Sequence, residues 1–134
     1  MANIIRQAAV LAVRDRQICM VTSRNGRRWV IPKGRIEPNQ SERDAAQAEA
    51  WEEAGIMGTV ENEPLGSFVY LKNGNEHHVV VFPMRVAIER EKWPECHFRR
   101  REWVPVEEAL KRITEPELRM LVQVQLGLVE AAAV

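Results

Sequence analysis

Three glutamates, Glu49, Glu52 and Glu53, lie three and four residues apart within GRIEPNQSERDAAQAEAWEEAGI, the stretch from Gly34 to Ile56. At about 100° per residue an α-helix projects such positions from one side. No lysine or arginine stands three or four residues from any of them inside that helix. Glu49 and Glu53 are therefore a like-charge i,i+4 pair, a repulsion of about 0.2–0.5 kcal/mol on an isolated helix. A fold that keeps this cluster must either solvate it or set a cation against it. Carboxylate oxygens are the ligands that hard ions such as Mg²⁺ select, and Mg²⁺ keeps open positions for water and phosphate oxygens. The flanks favour a built site over a plain solvated face. Ser41 followed by Asp44 resembles a capping box, Gly55 stops the helix, and Gly34, Pro38 and Asn39 suit a tight loop before it.

Around this unit the chain alternates strand and turn signals. Ile4 to Val13 is apolar and β-branched, and Gln17 to Thr22 reads as a second strand. Asn25-Gly26 predicts a hairpin with a type I′ turn, and Arg28 to Ile31 is the returning strand, stopped by Pro32. Gly58 to Leu71 suits one or two strands. Asn73-Gly74-Asn75 is a second hairpin signal, and His78 to Ile88 a strong strand in which Pro83 predicts an edge or a bulge. Arg99 to Val104 reads as a short strand with Arg99, Arg101 and Trp103 on one face. Helices follow over Val106 to Ile113 and Glu115 to Glu130. Leu118, Leu121, Val122, Leu126 and Val129 give the second an apolar face, which suits a sheet or a homodimer contact. Trp51 faces away from Glu49 and is expected in the core. Strands, a helix, more strands and then helices imply an α/β or α+β layered domain.

The 134 residues fit one domain, residues 1–134. A hydrophobic share of 46% with 28% charged residues is that of a soluble globular protein. A net charge of zero gives no generic surface for a nucleic-acid polymer. Cys19 and Cys96 have no metal-ligand spacing and suit a reducing, cytoplasmic setting. The apolar run from Ala8 to Val13 is too short to cross a membrane and has no cleavage pattern after it. The basic residues gather locally. Lys33 and Arg35 flank Gly34 beside the acidic helix, and Arg99 and Arg101 form a second cluster. Beside a metal site, Lys33, Gly34, Arg35, Arg99 and Arg101 are candidates to bind phosphate, which arginine forks bidentately. A charged edge strand is the alternative for the second cluster.

The stretch resembles a Nudix box: glycine, five residues, glutamate, seven residues, Arg-Glu-aliphatic, one residue, Glu-Glu, one residue, glycine, aliphatic. Gly34, Glu49, Glu52, Glu53, Gly55 and Ile56 match it without insertion. Gln40 stands where the family has its first glutamate, Ala48 where it has arginine, and Ala50 is smaller than the usual aliphatic residue. The resemblance implies an α/β/α sandwich with a mixed β-sheet between helices. It also implies a Mg²⁺-dependent hydrolase, with Mn²⁺ as a substitute, acting on a diphosphate linkage in a small molecule. Glu49, Glu52 and Glu53 are then the metal ligands and catalytic residues, with Glu53 the proton acceptor. RREW and EAWEEAG are similar to the branch acting on diphosphoinositol polyphosphates and dinucleoside polyphosphates. A nucleoside triphosphate pyrophosphatase is one alternative. A phosphate-ligand sensor with weak turnover, suggested by Gln40 and Ala48, is another.

Overall fold

Five consecutive residues of the first strand, Ala8 to Ala12, are at most 1% exposed. Side chains alternate faces along a strand, so a strand buried at every position carries a packed layer on both sides. The computed structural model, which describes residues 3–127, shows both layers. Ala9 and Leu11 of β1 (Ile4–Arg14) join a core with Phe68, Val81, Val104, Leu118 and Val122. Ala8, Val10 and Ala12 join another with Ala45, Ala46, Ala50, Ile56 and Met84. The first core lies under α2 (Val106–Arg112) and α3 (Pro116–Gln125), the second under α1 (Glu42–Ala54). The result is a mixed sheet between helices.

The sheet has eight strands. Its path runs β3 (Trp29–Val30), β2 (Gln17–Thr22), β1, β7 (Asn75–Glu89), β5 (Ile56–Val60). Off this path, β4 (Lys33–Arg35) pairs with β1, β6 (Gly66–Lys72) with β7, and β8 (Arg101–Pro105) with β2. Only β1 and β7 run parallel, with Ala8 opposite Val80. Pro83 does not mark an edge, since β7 has partners on both sides. It falls where β7 changes partner, between Val81, opposite Gly66 of β6, and Met84, opposite Val60 of β5. No ladder donor is needed at that gap, so the missing N–H costs nothing.

One expected turn differs, and one tight hairpin is additional. Asn25-Gly26 is not a type I′ turn, because Gly26 has φ +75 but Asn25 is not in the left-handed region. The loop is longer: Gly26 N–H donates to Ser23 O at 2.8 Å, and Asn25 Oδ1 accepts from Arg27 N–H at 2.9 Å. The two-residue hairpin lies instead at Asp15-Arg16, with φ 52 and 58, between Arg14 and Gln17. Asn73-Gly74, with φ 53 and 76, closes β6 onto β7 as the sequence indicates. Lys33–Arg35, read as loop, is a short strand held by β1. Arg99 precedes β8 rather than starting it. Trp51 is half-buried and belongs to neither core. The expected end of the last helix, Val129 and Glu130 included, lies outside the described residues. Among those described, no helix is long and apolar enough to cross a membrane.

Both ends of α1 are tied. Ser41 Oγ accepts from Asp44 N–H at 3.0 Å, the side-chain half of a capping box. At the other end the carbonyls that a helix leaves without partners are met by one distant segment. Glu95 N–H donates to Glu52 O at 3.1 Å, Trp93 Nε1–H to Glu53 O at 2.9 Å, and Arg101 Nη1 to Ala54 O at 2.7 Å. Gly55 follows with φ +67, and a Cβ there would stand 2.9 Å from the Trp93 side chain. Gly55→Ala is therefore expected to lower the unfolding free energy by about 1–3 kcal/mol. Urea titration followed by tryptophan fluorescence measures this; an unchanged midpoint would contradict the assigned packing of Trp93.

Candidate active site

The acidic face of α1 meets the backbone of β4. Register with β1 places Gly34 opposite Ala8 and Lys33 opposite Ala9. The alanines of α1 at positions 45, 46, 50 and 54 are at most 1% exposed and let the helix lie close on β1. Glu53, 8% exposed, accepts at Oε1 from Lys33 N–H at 3.0 Å and at Oε2 from Arg99 Nη2 at 3.1 Å. Arg99, 7% exposed, also donates from Nε to Glu95 at 2.6 Å and from Nη1 to Thr22 O at 2.8 Å. A Cβ on residue 34 would overlap the Glu49 carboxyl, so glycine there makes room for that group. Among the described residues, Glu49 and Glu52 have no ion-pair partner.

These groups open onto a cleft of about 370 Å³. Glu49, Glu52, Glu53 and Glu95 supply negative charge, while Arg24, Lys33, Lys72 and Arg99 line it as cations. Tyr70 and His77 are its aromatic lining, and they stack on each other with centroids 4.6 Å apart. Tyr70 Oη donates to Gln7 Oε1 at 2.8 Å, and Lys33 Nζ stands 5.3 Å from the Tyr70 ring centroid.

Burial, then the charges of Glu53, Glu52 and Glu95, push the Glu49 carboxyl up to about 7. Burial also raises Glu53, opposed by the Arg99 guanidinium and the Lys33 N–H. Burial lowers the Lys33 ammonium, opposed by Glu53. His77 is lowered by burial and by Lys72, Lys33 and Arg35. The donors left open are carboxylate oxygens carrying excess negative charge, a set that suits a hard divalent cation. Among the described residues, however, no three acidic, histidine or cysteine side chains stand together as a closed ligand set. Glu53 is turned toward Arg99 and the Lys33 N–H instead.

Of the residues singled out in the sequence, Lys33, Gly34, Arg99 and the three glutamates share the cleft. Arg35 is exposed and outside its lining. Arg101 is outside too, with its guanidinium on the carbonyls of Ala54 and Arg90 and paired with Glu89 at 3.1 Å. Gln40 Oε1 accepts from Glu37 N–H at 2.9 Å and so closes its own loop. Glu42 pairs with Arg6 at 3.0 Å and Glu76 with His78 at 2.9 Å, both away from the cleft. Sequence reading missed Glu95, Arg24, Lys72, Tyr70 and Gln7. Gln7 carried a weak signal as a polar residue in an apolar strand. Glu95 carried one as a carboxylate four residues before Arg99.

The raised Glu49 carboxyl has a consequence for stability. Its folded pKa, about 7, lies above its ordinary value of 4.5. Stability from this group is thus fully present below the lower value and is lost as pH rises through the upper one. In metal-free protein, Glu49→Gln should gain in Tm over the wild type progressively across that window and by a constant amount above it. Scanning fluorimetry in chelator measures this; a pH-independent difference would contradict the assigned environment.

Residues 4–124 match the NUDIX domain. Nudix hydrolase 18, mitochondrial, of Arabidopsis thaliana is 39% identical over 95 residues, which cover 69% of this chain and 53% of that protein. Diphosphoinositol polyphosphate phosphohydrolase 3-alpha of Mus musculus is 33% identical over 112 residues, covering 79% of this chain and 67% of that one. The chain spans about half the length of the plant relatives it matches. Among solved structures, a C. elegans Ap4A hydrolase in a binary complex superposes with a TM-score of 0.77 at 19% identity, covering 92% of this chain and 96% of that one. A MutT protein from Methanosarcina mazei gives 0.73 at 22%, covering 91% and 92%. These two share the fold. A domain match over nearly all the described residues, and relatives above 30% identity, carry one conclusion: the chain belongs to the Nudix hydrolase family.

Proposed function

We propose that this chain is a divalent-metal-dependent hydrolase that cleaves a diphosphate linkage in a small polyphosphorylated molecule, such as a diphosphoinositol polyphosphate or a dinucleoside polyphosphate. The observation that carries the reading is the single cleft in which Glu49, Glu52 and Glu53 face Lys33, Arg24 and Lys72. The carboxylates suit a cation and the cations suit phosphate. The names of the mouse and nematode relatives agree with that substrate class.

Glu49 and Glu52, which have no ion-pair partner among the described residues, would hold Mg²⁺ or Mn²⁺, and Glu53 would join them through the lone pair each oxygen keeps beside its hydrogen bond. When bound, the ion neutralises charge on the diphosphate and lowers the pKa of a water. Glu53 is the proton acceptor in this reading, and burial raises its affinity for that proton. Its carboxylate is held at both oxygens, by Lys33 N–H and by Arg99. Water oxygen forms a bond to phosphorus, the bridging P–O bond breaks, and the water's proton passes to Glu53. Lys33, Arg24 and Lys72 offset charge on the phosphates.

The aromatic lining of the cleft supports one substrate class over another. A purine needs an exposed aromatic face, but the lining aromatics, Tyr70 and His77, stack on each other, and Phe68 lies stacked 6.2 Å from Tyr70. That favours a substrate held by its phosphates over one recognised by its base, and among the candidates it agrees best with a diphosphoinositol polyphosphate. The second reading is a phosphate-ligand sensor with weak turnover. It draws on Gln40, whose side chain closes a loop rather than entering the cleft, and on the uncharged Ala48.

The deciding experiment incubates the protein with diadenosine polyphosphates, inositol pyrophosphates or nucleoside triphosphates in Mg²⁺ and separates products by ion exchange. ¹⁸O water locates the attacked phosphorus. Turnover of the first two classes is expected; tight binding without product over hours would favour the sensor. Glu53→Gln should lower kcat by about 10²–10⁴-fold while circular dichroism stays unchanged. Near-normal turnover in that variant would remove Glu53 from its role.

A further inference from the structure

Arg99 lies far along the chain from the acidic helix, yet it is the ion-pair partner of Glu53 among the described residues. Its burial, at 7% exposed, is unusual for an arginine that meets an outside ligand. An arginine that binds phosphate presents its fork to the ligand. Here each guanidinium nitrogen already has a protein acceptor: Nε has Glu95, Nη1 has the Thr22 carbonyl, and Nη2 has Glu53.

One of those acceptors is fixed by the sheet, and the backbone that carries another is tied to the helix end. Thr22 ends β2, and its N–H and Oγ1 are bound to the backbone of Arg100. Glu95 is anchored to α1 through its own N–H on Glu52 O. The Thr22 carbonyl therefore holds one guanidinium nitrogen to the sheet, and Glu95 holds a second from the segment that caps the helix end. The third nitrogen then fixes one oxygen of Glu53, and the Lys33 N–H fixes the other. A glutamate χ3 torsion is otherwise broad and roughly two-fold. Two donors from different elements select one orientation of the carboxylate.

We propose that Arg99 is a positioning residue, which holds the Glu53 carboxylate in one orientation by way of Glu95 and the Thr22 carbonyl, and does not itself bind substrate phosphate. The assignment rests on the reading of Glu53 as proton acceptor. It also replaces the phosphate contact that the sequence suggested for Arg99.

The test compares Arg99→Gln and Arg99→Lys with the wild type in the full chain. Steady-state kinetics use the diphosphate substrate turned over by the wild type. Calorimetry follows Mn²⁺ binding without substrate, and thermal unfolding reports folding. Arg99→Gln is expected to lower kcat by about 10–100-fold, with KM changed less than about twofold, and to weaken Mn²⁺ binding by a similar factor. Arg99→Lys keeps the charge without the fork and should fall between the two; it serves as the deciding variant if Arg99→Gln unfolds. A rise in KM at unchanged kcat, growing with the number of phosphates on the substrate, would overturn the proposal in favour of a phosphate contact. Wild-type inactivity on every diphosphate would sink the hydrolase reading. The Mn²⁺ titration is independent of turnover, and unaltered affinity in both variants overturns the role of Arg99 in either case.

Discussion

The backbone of Lys33 and Gly34 lies directly against the carboxyl groups of Glu49 and Glu53, and this contact sets the geometry of the cleft. It is reached from both sides by small residues. Four buried alanines bring α1 down on β1, and three register pairs hold β4 beside it. A Cβ at residue 34 would displace the Glu49 carboxyl, and a larger residue at the four alanines would crowd the packed layer between α1 and β1. The apolar layer under α1 thus serves the polar chemistry above it, because the same alanines that complete the core fix where the carboxylates stand.

Charge in the cleft is balanced unevenly. Glu53 has two donors, whereas Glu49 and Glu52 have no ion-pair partner among the described residues and face Glu95 as well. Burial first, and then the neighbouring carboxylates, push the Glu49 carboxyl up to about 7. A cation in the cleft would relieve the repulsive part of that shift.

The sequence made the acidic helix, its caps and most strands legible because each is written locally. Ser41, Gly55 and the glutamate spacing all lie within one stretch, and the apolar, β-branched run in His78 to Ile88 is plain. What could not be read depends on distant pairing. β4 is three residues long and exists because β1 is there to receive it. Asp15-Arg16 forms the tight hairpin without a glycine, since the register of β1 with β2 imposes the positive φ values. Arg99 and Arg101 looked alike as neighbouring surface cations. The fold parts them, one against Glu53 and the other capping Ala54, and the i,i+4 spacing of Glu95 to Arg99 is the one weak local sign of the difference.

The carbonyls of Glu52, Glu53 and Ala54 all take their donors from the segment between Trp93 and Arg101. That segment has little regular secondary structure before β8, and its polar composition resembles that of a dispensable surface connection. Mechanically it is a buttress. An insertion or a proteolytic nick there would loosen the last turn of the acidic helix α1, although some forty residues separate the two in the chain. Tolerance to such changes in this region should therefore resemble that of the Nudix box itself rather than that of an ordinary loop.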